Sequence, residues 1–75
     1  MEIVHERLIR DSEVRRITAL PTTTRDRLEA AGKFPKRIKV APRAVAWAES
    51  EVQGWIRQRL LERQSDAHDA APVNQ

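Results

Sequence analysis

The spacing of apolar residues changes from helical to strand-like and back again along this chain. Residues 11–31 place apolar side chains three or four positions apart, residues 38–47 alternate them, and the helical spacing returns from Glu49 onward. A chain of 75 residues is too short to build two separate cores, so these elements must share one. The sequence therefore predicts a single small α+β domain.

The two ends of the chain lack either periodicity. Residues 1–6 and 64–75 are mostly polar, small or acidic, and we expect them to be disordered, which leaves residues 7–63 as the folded domain. The chain has no cysteine, so the domain is stabilised by packing without disulfides. Its apolar runs are too short for a membrane span or a secretory signal, and we expect a cytoplasmic protein that does not contact membranes.

The first half of the domain has the pattern of two short helices joined by a tight turn. A two-turn helix is expected to begin at Asp11, with that residue as its N-cap, and to end before Pro21. A second helix starts in the following threonine cluster, where Thr23 and Asp26 resemble a capping box, and ends at Gly32. This arrangement is typical of a helix-turn-helix.

The second half predicts a β-hairpin followed by a closing helix. The apolar face of the hairpin is expected to pack on the helices, with Trp47 and Trp55 as core residues. The last helix has the inward spacing of four residues: Val52, Trp55, Ile56 and Leu60. With a short edge strand at residues 7–10, the predicted fold is α+β, mainly helical: a small winged helix-turn-helix with three helices and a short basic β-hairpin wing.

The charge is concentrated in the middle of the chain. Residues 15–47 carry nine lysines and arginines against two acids, whereas both ends are net acidic and the whole chain is only +3. A basic block of this kind is typical of a surface that binds a polyanion. The alternative is that these side chains are scattered over an ordinary solvated surface.

Few residues here could perform catalysis. His5 and His68 lie in the predicted disordered ends and have no second ligand at a fixed spacing, so no metal site or general base is expected. The glycines, Gly32 and Gly54, are too few for a phosphate-binding loop. The serines have no histidine partner in the folded region. We therefore predict that the protein is not an enzyme and uses no cofactor.

The physical case for DNA binding rests on the second helix and the hairpin. A helix N-terminus suits a phosphate, and side chains on an exposed helix face reach base edges in the major groove. Arg25 and Arg27 are expected to flank that exposed face, and the hairpin cations to lie along the backbone. The predicted recognition-helix residues are Thr22, Thr23, Arg25, Asp26 and Arg27, and the predicted wing residues are Lys36, Arg37, Lys39 and Arg43.

Asp26 is the exception in this set, because a carboxylate near phosphates is repelled. Three interpretations are open: Asp26 accepts a hydrogen bond from a cytosine amino group, it pairs with a neighbouring arginine, or it caps the helix. Capping is the one that the sequence favours.

Three segments carry a family resemblance. The motif G-x-F-P at residues 32–35, followed by RAVAW at residues 43–47 and E-x-E-V-x-x-W at residues 49–55, resembles the AlpA-type regulators of phages and mobile elements. These regulators are related to MerR-like and excisionase winged-helix proteins, and the resemblance covers about residues 7–60. Where the family usually has glycine in the turn, this chain has Ala19, so we expect a reshaped turn. Thr24 to Arg27 also depart from the usual motif.

The resemblance implies a sequence-specific double-stranded DNA-binding protein. It would act as a transcriptional regulator of a prophage or integrative element, or as an excisionase-like directionality factor. Its partners would be double-stranded DNA, an integrase and further copies of itself bound to adjacent sites. The alternative function is a non-enzymatic adaptor that uses the same fold to bind an acidic partner protein.

Overall fold

A computed structural model describes the backbone of residues 5–69 and the side chains of residues 5–63. Its elements follow the order strand, helix, helix, strand, strand, helix, which confirms the predicted fold class. The element bounds are β1 Leu8–Ile9, α1 Asp11–Thr18, α2 Thr22–Ala30, β2 Ile38–Ala41, β3 Ala44–Ala48 and α3 Glu49–Asp69. The predicted disorder at residues 1–4 and 70–75 lies outside the described residues.

The three strands form one antiparallel sheet with β3 in the centre. The short strand β1 pairs with one side of β3, where Ile9 lies opposite Trp47. On its other side β3 pairs with β2, with Lys39 opposite Val45. The sheet order β1-β3-β2 makes β1 an edge strand, as predicted, and β2 the other edge.

The core lies where this sheet meets the helices. Its buried cluster contains one residue from each of β1, α1, β3 and α3 and one from the loop after α2. Five partly buried residues pack around it: Ile17, Leu28, Val45, Trp55 and Ile56. Trp47 is 2% exposed, and Trp55 stacks edge-on against Phe34 with ring centroids 5.0 Å apart. Both tryptophans are therefore core residues, as predicted. The buried cluster consists of Ile9, Val14, Phe34, Trp47 and Val52.

The starts of α1 and α2 differ from the predicted caps. Helix α1 begins at Asp11 itself, with Arg10 in the N-cap position, and α2 has Pro21 in that position. Neither cap residue makes a side-chain hydrogen bond to its helix. The prediction that Asp26 caps α2 is therefore wrong, because Asp26 lies one turn inside the helix.

The end of α2 follows the sequence expectation. Gly32 has φ of +75°, the left-handed conformation that glycine adopts without steric cost. The amide of Gly32 donates to the carbonyl of Glu29 at 3.0 Å, and the amide of Lys33 donates to that of Leu28 at 2.8 Å. This pair of bonds is a Schellman motif, which ends the helix and turns the chain toward Phe34.

The turn between α1 and α2 retains the left-handed geometry that Ala19 was expected to prevent. Ala19 has φ 63° and ψ 21°, and its amide donates to the carbonyl of Arg15 at 2.8 Å. The prediction of a reshaped turn is wrong, because the three-residue connection between the helices needs one left-handed residue. A side chain bearing Cβ is strained there by about 1–2 kcal/mol.

Replacing Ala19 by glycine should therefore stabilise the protein. The relief of left-handed strain exceeds the extra backbone entropy of glycine, so we expect a gain of about 0.5–1 kcal/mol and a Tm about 4 °C higher. The control is Ala31→Gly, since Ala31 has φ of −85° and gains nothing from glycine. Thermal unfolding measures both changes, and a lower Tm for Ala19→Gly would contradict the strain.

Two apolar segments pack less than predicted. Ile38 and Val40 on β2 are 39% and 43% exposed, so the expectation that the apolar face of the hairpin packs on the helices is wrong for this strand. Leu60 is 48% exposed. Helix α3 contacts the core through Val52, Trp55 and Ile56. The helix continues to Asp69. Among the described residues, no helix is long and apolar enough to cross a membrane.

Candidate nucleic-acid interface

Helix α2 presents an exposed stripe of four residues. Positions spaced by three, four and seven residues share a helix face, and the residues at these positions are all exposed. The opposite side of α2 faces the core through half-buried Thr24 and Leu28. The exposed stripe consists of Thr23, Asp26, Arg27 and Ala30.

Arg25 does not lie on this stripe, which corrects the expectation that it flanks the exposed face. Its side chain is 1% exposed and has a structural role. Its Nε donates to the carbonyl of Leu20 at 3.1 Å, and its Nη2 donates to Asp11 Oδ1 at 2.5 Å. The guanidinium carbon lies 5.5 Å from the ring centroid of Trp47. Arg25 thus joins the start of α1, the inter-helix turn and the central strand, and is unavailable to a ligand.

Thr22 belongs to the same network although it is exposed. Its hydroxyl donates to Asp11 Oδ1 at 3.2 Å and accepts from Arg25 Nη2 at 3.2 Å. The hydrogen bond from Arg25 is the main reason that the pKa of Asp11 lies below its usual value. The carboxylate therefore stays charged at neutral pH and keeps the first turn of α2 against α1.

Arg37 connects the wing to the exposed stripe. Its Nη2 pairs with Glu29 Oε1 at 3.0 Å and also with Asp26 Oδ1. Its Nε and its backbone amide both donate to Glu29 at 3.1 Å. The pKa of Arg37 is raised above its usual value, mainly by its hydrogen bond to Glu29 and secondly by that to Asp26. The two acids of α2 thereby share one cation from the wing segment.

Trp47 lies beneath both arginines. The guanidinium carbon of Arg37 is 5.4 Å from its ring centroid, on the same side of the molecule as the ion pairs with α2. Because Trp47 is buried and belongs to β3, its contact with Arg37 holds that arginine to the sheet, while the ion pairs hold it to α2. Arg37 consequently links the start of the wing to both α2 and the central strand.

Three further cations belong to the wing segment. Lys39 lies on β2, two residues after Arg37, which directly precedes that strand. Lys36 precedes Arg37 directly, and Arg43 lies in the hairpin turn. All three are exposed, as is Arg27 on the stripe, and none of the four makes an ion pair within residues 5–63.

Sequence reasoning identified the cations and missed two acids that organise them. Asp11 was expected to cap a helix, and Glu29 was not among the predicted site residues. Glu29 is 16% exposed at its side chain and is fully engaged by Arg37. The available signal was the spacing of Asp26 and Glu29, which places two acids on one face of a helix within a basic segment.

The exposed side chains of this region carry donors and cations. The stripe of α2 contributes Thr23 and Arg27, and the wing segment contributes Lys36, Lys39 and Arg43. Among the described residues, no group of three or more histidine, cysteine, aspartate or glutamate side chains is arranged to hold a metal ion.

The chain is similar to known phage proteins. The family described as "Prophage CP4-57 regulatory protein (AlpA)" matches residues 7–60. A protein of Enterobacteria phage P4, described as "Uncharacterized protein ORF88", is 34% identical over 62 residues, which cover 83% of this chain and 70% of the phage protein. Since the family match spans most of the chain and includes every strand and the turn between the helices, the protein belongs to the AlpA family of prophage regulatory proteins.

Proposed function

We propose that this protein is a sequence-specific double-stranded DNA-binding protein that places α2 in the major groove and the wing along the adjacent backbone. The observation that carries the proposal is the Arg37 bridge, which pairs with both Asp26 and Glu29 and joins the wing to the exposed stripe. Around that bridge, Arg27 and Lys39 are exposed and free to meet base edges and phosphates.

The proposed interface differs from the sequence-based set in three residues: Thr22, Arg25 and Arg37. Arg25 is excluded because it is buried, and Arg37 acts within the protein. The exposed members are Thr23, Asp26 and Arg27 on α2 and Lys36, Lys39 and Arg43 on the wing. Thr22 contributes by fixing the first turn of the helix.

A salt titration tests this function. Four exposed cations that release counterions from duplex DNA give a slope of log K against log salt of about −3.6. The binding of a duplex selected from random sequences, followed by fluorescence anisotropy at several salt concentrations, measures it. A glutamate-rich peptide of similar charge is the comparison for the adaptor alternative. A flat salt response, or tighter binding of the peptide than of any duplex, would contradict DNA binding.

Two biological roles would use this surface. A transcriptional regulator of a prophage changes expression from a nearby promoter, whereas a directionality factor promotes excision together with an integrase. Because a single module buries only about 600–1,000 Å² of surface on DNA, several copies on adjacent sites would be needed for high occupancy. In either role the protein would act on the nucleoid. Promoter-reporter and excision assays in the same cells distinguish the two roles.

A further inference from the structure

Asp26 is an acid in the middle of the surface that the proposed function places against DNA. Its side chain is 50% exposed and lies beside Arg27 on the stripe. A carboxylate there is repelled by phosphates. Of the three interpretations that the sequence left open, the structure rules out the cap and shows Asp26 paired with an arginine, Arg37. Its contacts therefore decide what it does.

The two acids bound by Arg37 are used differently. Glu29 accepts hydrogen bonds through both carboxylate oxygens and is 16% exposed. Asp26 binds Arg37 through Oδ1 alone, and within residues 5–63 its Oδ2 accepts no hydrogen bond. Asp26 thus keeps one acceptor oxygen that no donor among the described residues occupies.

The ion pair with Arg37 orients the Asp26 carboxylate. Arg37 is held by three donors to Glu29 and by the ring of Trp47 at 5.4 Å, so it forms a rigid support for Asp26. A polar group that is oriented before binding loses less entropy when its partner arrives and discriminates better between partners. Asp26 is therefore built as a preorganised acceptor.

We propose that Asp26 is a specificity-determining residue that accepts a hydrogen bond from the N4 amino group of a cytosine in the major groove. Arg37 and Glu29 are its positioning residues. Cytosine presents an amino donor on this edge, whereas adenine places the N7 lone pair beside its amino group, and guanine and thymine present acceptors. The inference rests on the proposed DNA-binding function and assigns one base to one side chain.

The experiment measures base preference position by position. A duplex selected from random sequences by the unsubstituted protein is varied to all four base pairs at each position, and the Kd of each duplex is determined. We expect one position to prefer cytosine by about tenfold. The amide of Asp26→Asn matches the N6 and N7 edge of adenine, so the preference at that position should change from cytosine to adenine.

Two further variants separate reading from general electrostatics. Arg37→Lys retains the charge and loses the planar fork, so it should weaken the cytosine preference to about threefold without changing the preferred base. Glu62→Gln removes an acid on α3 and should leave the profile unchanged. Tm values close to that of the unsubstituted protein establish that the variants are folded.

Two outcomes would overturn the inference. If Asp26→Asn binds every duplex more tightly by the same factor and keeps the original profile, Asp26 is only a surface acid that repels phosphates, and the proposed function stands without it. If the unsubstituted protein prefers no duplex over another, both the base assignment and sequence-specific binding fail.

Discussion

Arg25→Ala is expected to lower the free energy of unfolding by about 3 kcal/mol, and the Tm by about 15 °C. The variant loses hydrogen bonds to Leu20 and Asp11 and the stacking on Trp47, and leaves a cavity beside a buried ring. Domains of this length are stable by roughly 4–11 kcal/mol, so the loss is a large part of the total. Urea and thermal unfolding measure it.

Two further arginine variants test whether the loss of stability comes from the buried contacts of Arg25. Arg16→Ala removes an exposed arginine that pairs with Glu13 on the same helix, and a surface pair of this kind changes stability by less than about 1 kcal/mol. Arg25→Lys keeps a positive charge but cannot bind Asp11 and Leu20 together, so it should remain close to Arg25→Ala in stability. A Tm for Arg25→Ala within 2 °C or so of the Arg16→Ala value would contradict the structural role.

The order of the elements could be predicted from the sequence because it depends on local patterns. Val14 and Ile17 specify the inward face of α1, Gly32 marks the end of α2, and the alternation through Val45 and Trp47 identifies the central strand. These signals act within a few residues, and the structure places each of them as expected.

The burial of Arg25 could not be predicted in the same way. An arginine is ordinarily exposed, and its burial here depends on partners that lie far from it in sequence: Asp11 is 14 residues away, and Trp47 is on the central strand. Only the folded chain brings a carboxylate, a carbonyl and an indole ring around one guanidinium. Helical spacing alone therefore assigned Arg25 to the wrong face.

The exposure of the wing strand β2 also could not be predicted from local spacing. Alternation separated Ile38 from Lys39 correctly, since they lie on opposite faces of β2, but it did not specify whether either face is covered. All four residues of β2 are exposed, including Ile38 at 39%, because β2 is an edge strand. The contact with α2 is made by Arg37, which directly precedes β2, and it depends on Glu29 and Asp26 on another element.

The central claim is that one surface, formed by the stripe of α2 and the wing, binds DNA, with α2 reading bases and the wing contacting the backbone. Arg27→Ala is expected to weaken binding to the selected duplex by about 10- to 100-fold and to change a scrambled duplex much less. Lys39→Ala is expected to weaken both duplexes by the same few-fold factor. It should also make the salt slope about 0.9 less steep, because one phosphate contact is lost.

The measurement that tests this claim most directly is the Kd of both duplexes for these two variants and for Arg57→Ala, which removes an exposed arginine on α3. We expect a loss of selectivity for Arg27→Ala, a uniform loss for Lys39→Ala and no change for Arg57→Ala. Equal losses for all three variants, or a loss confined to Arg57→Ala, would show that DNA is bound elsewhere or only by total charge.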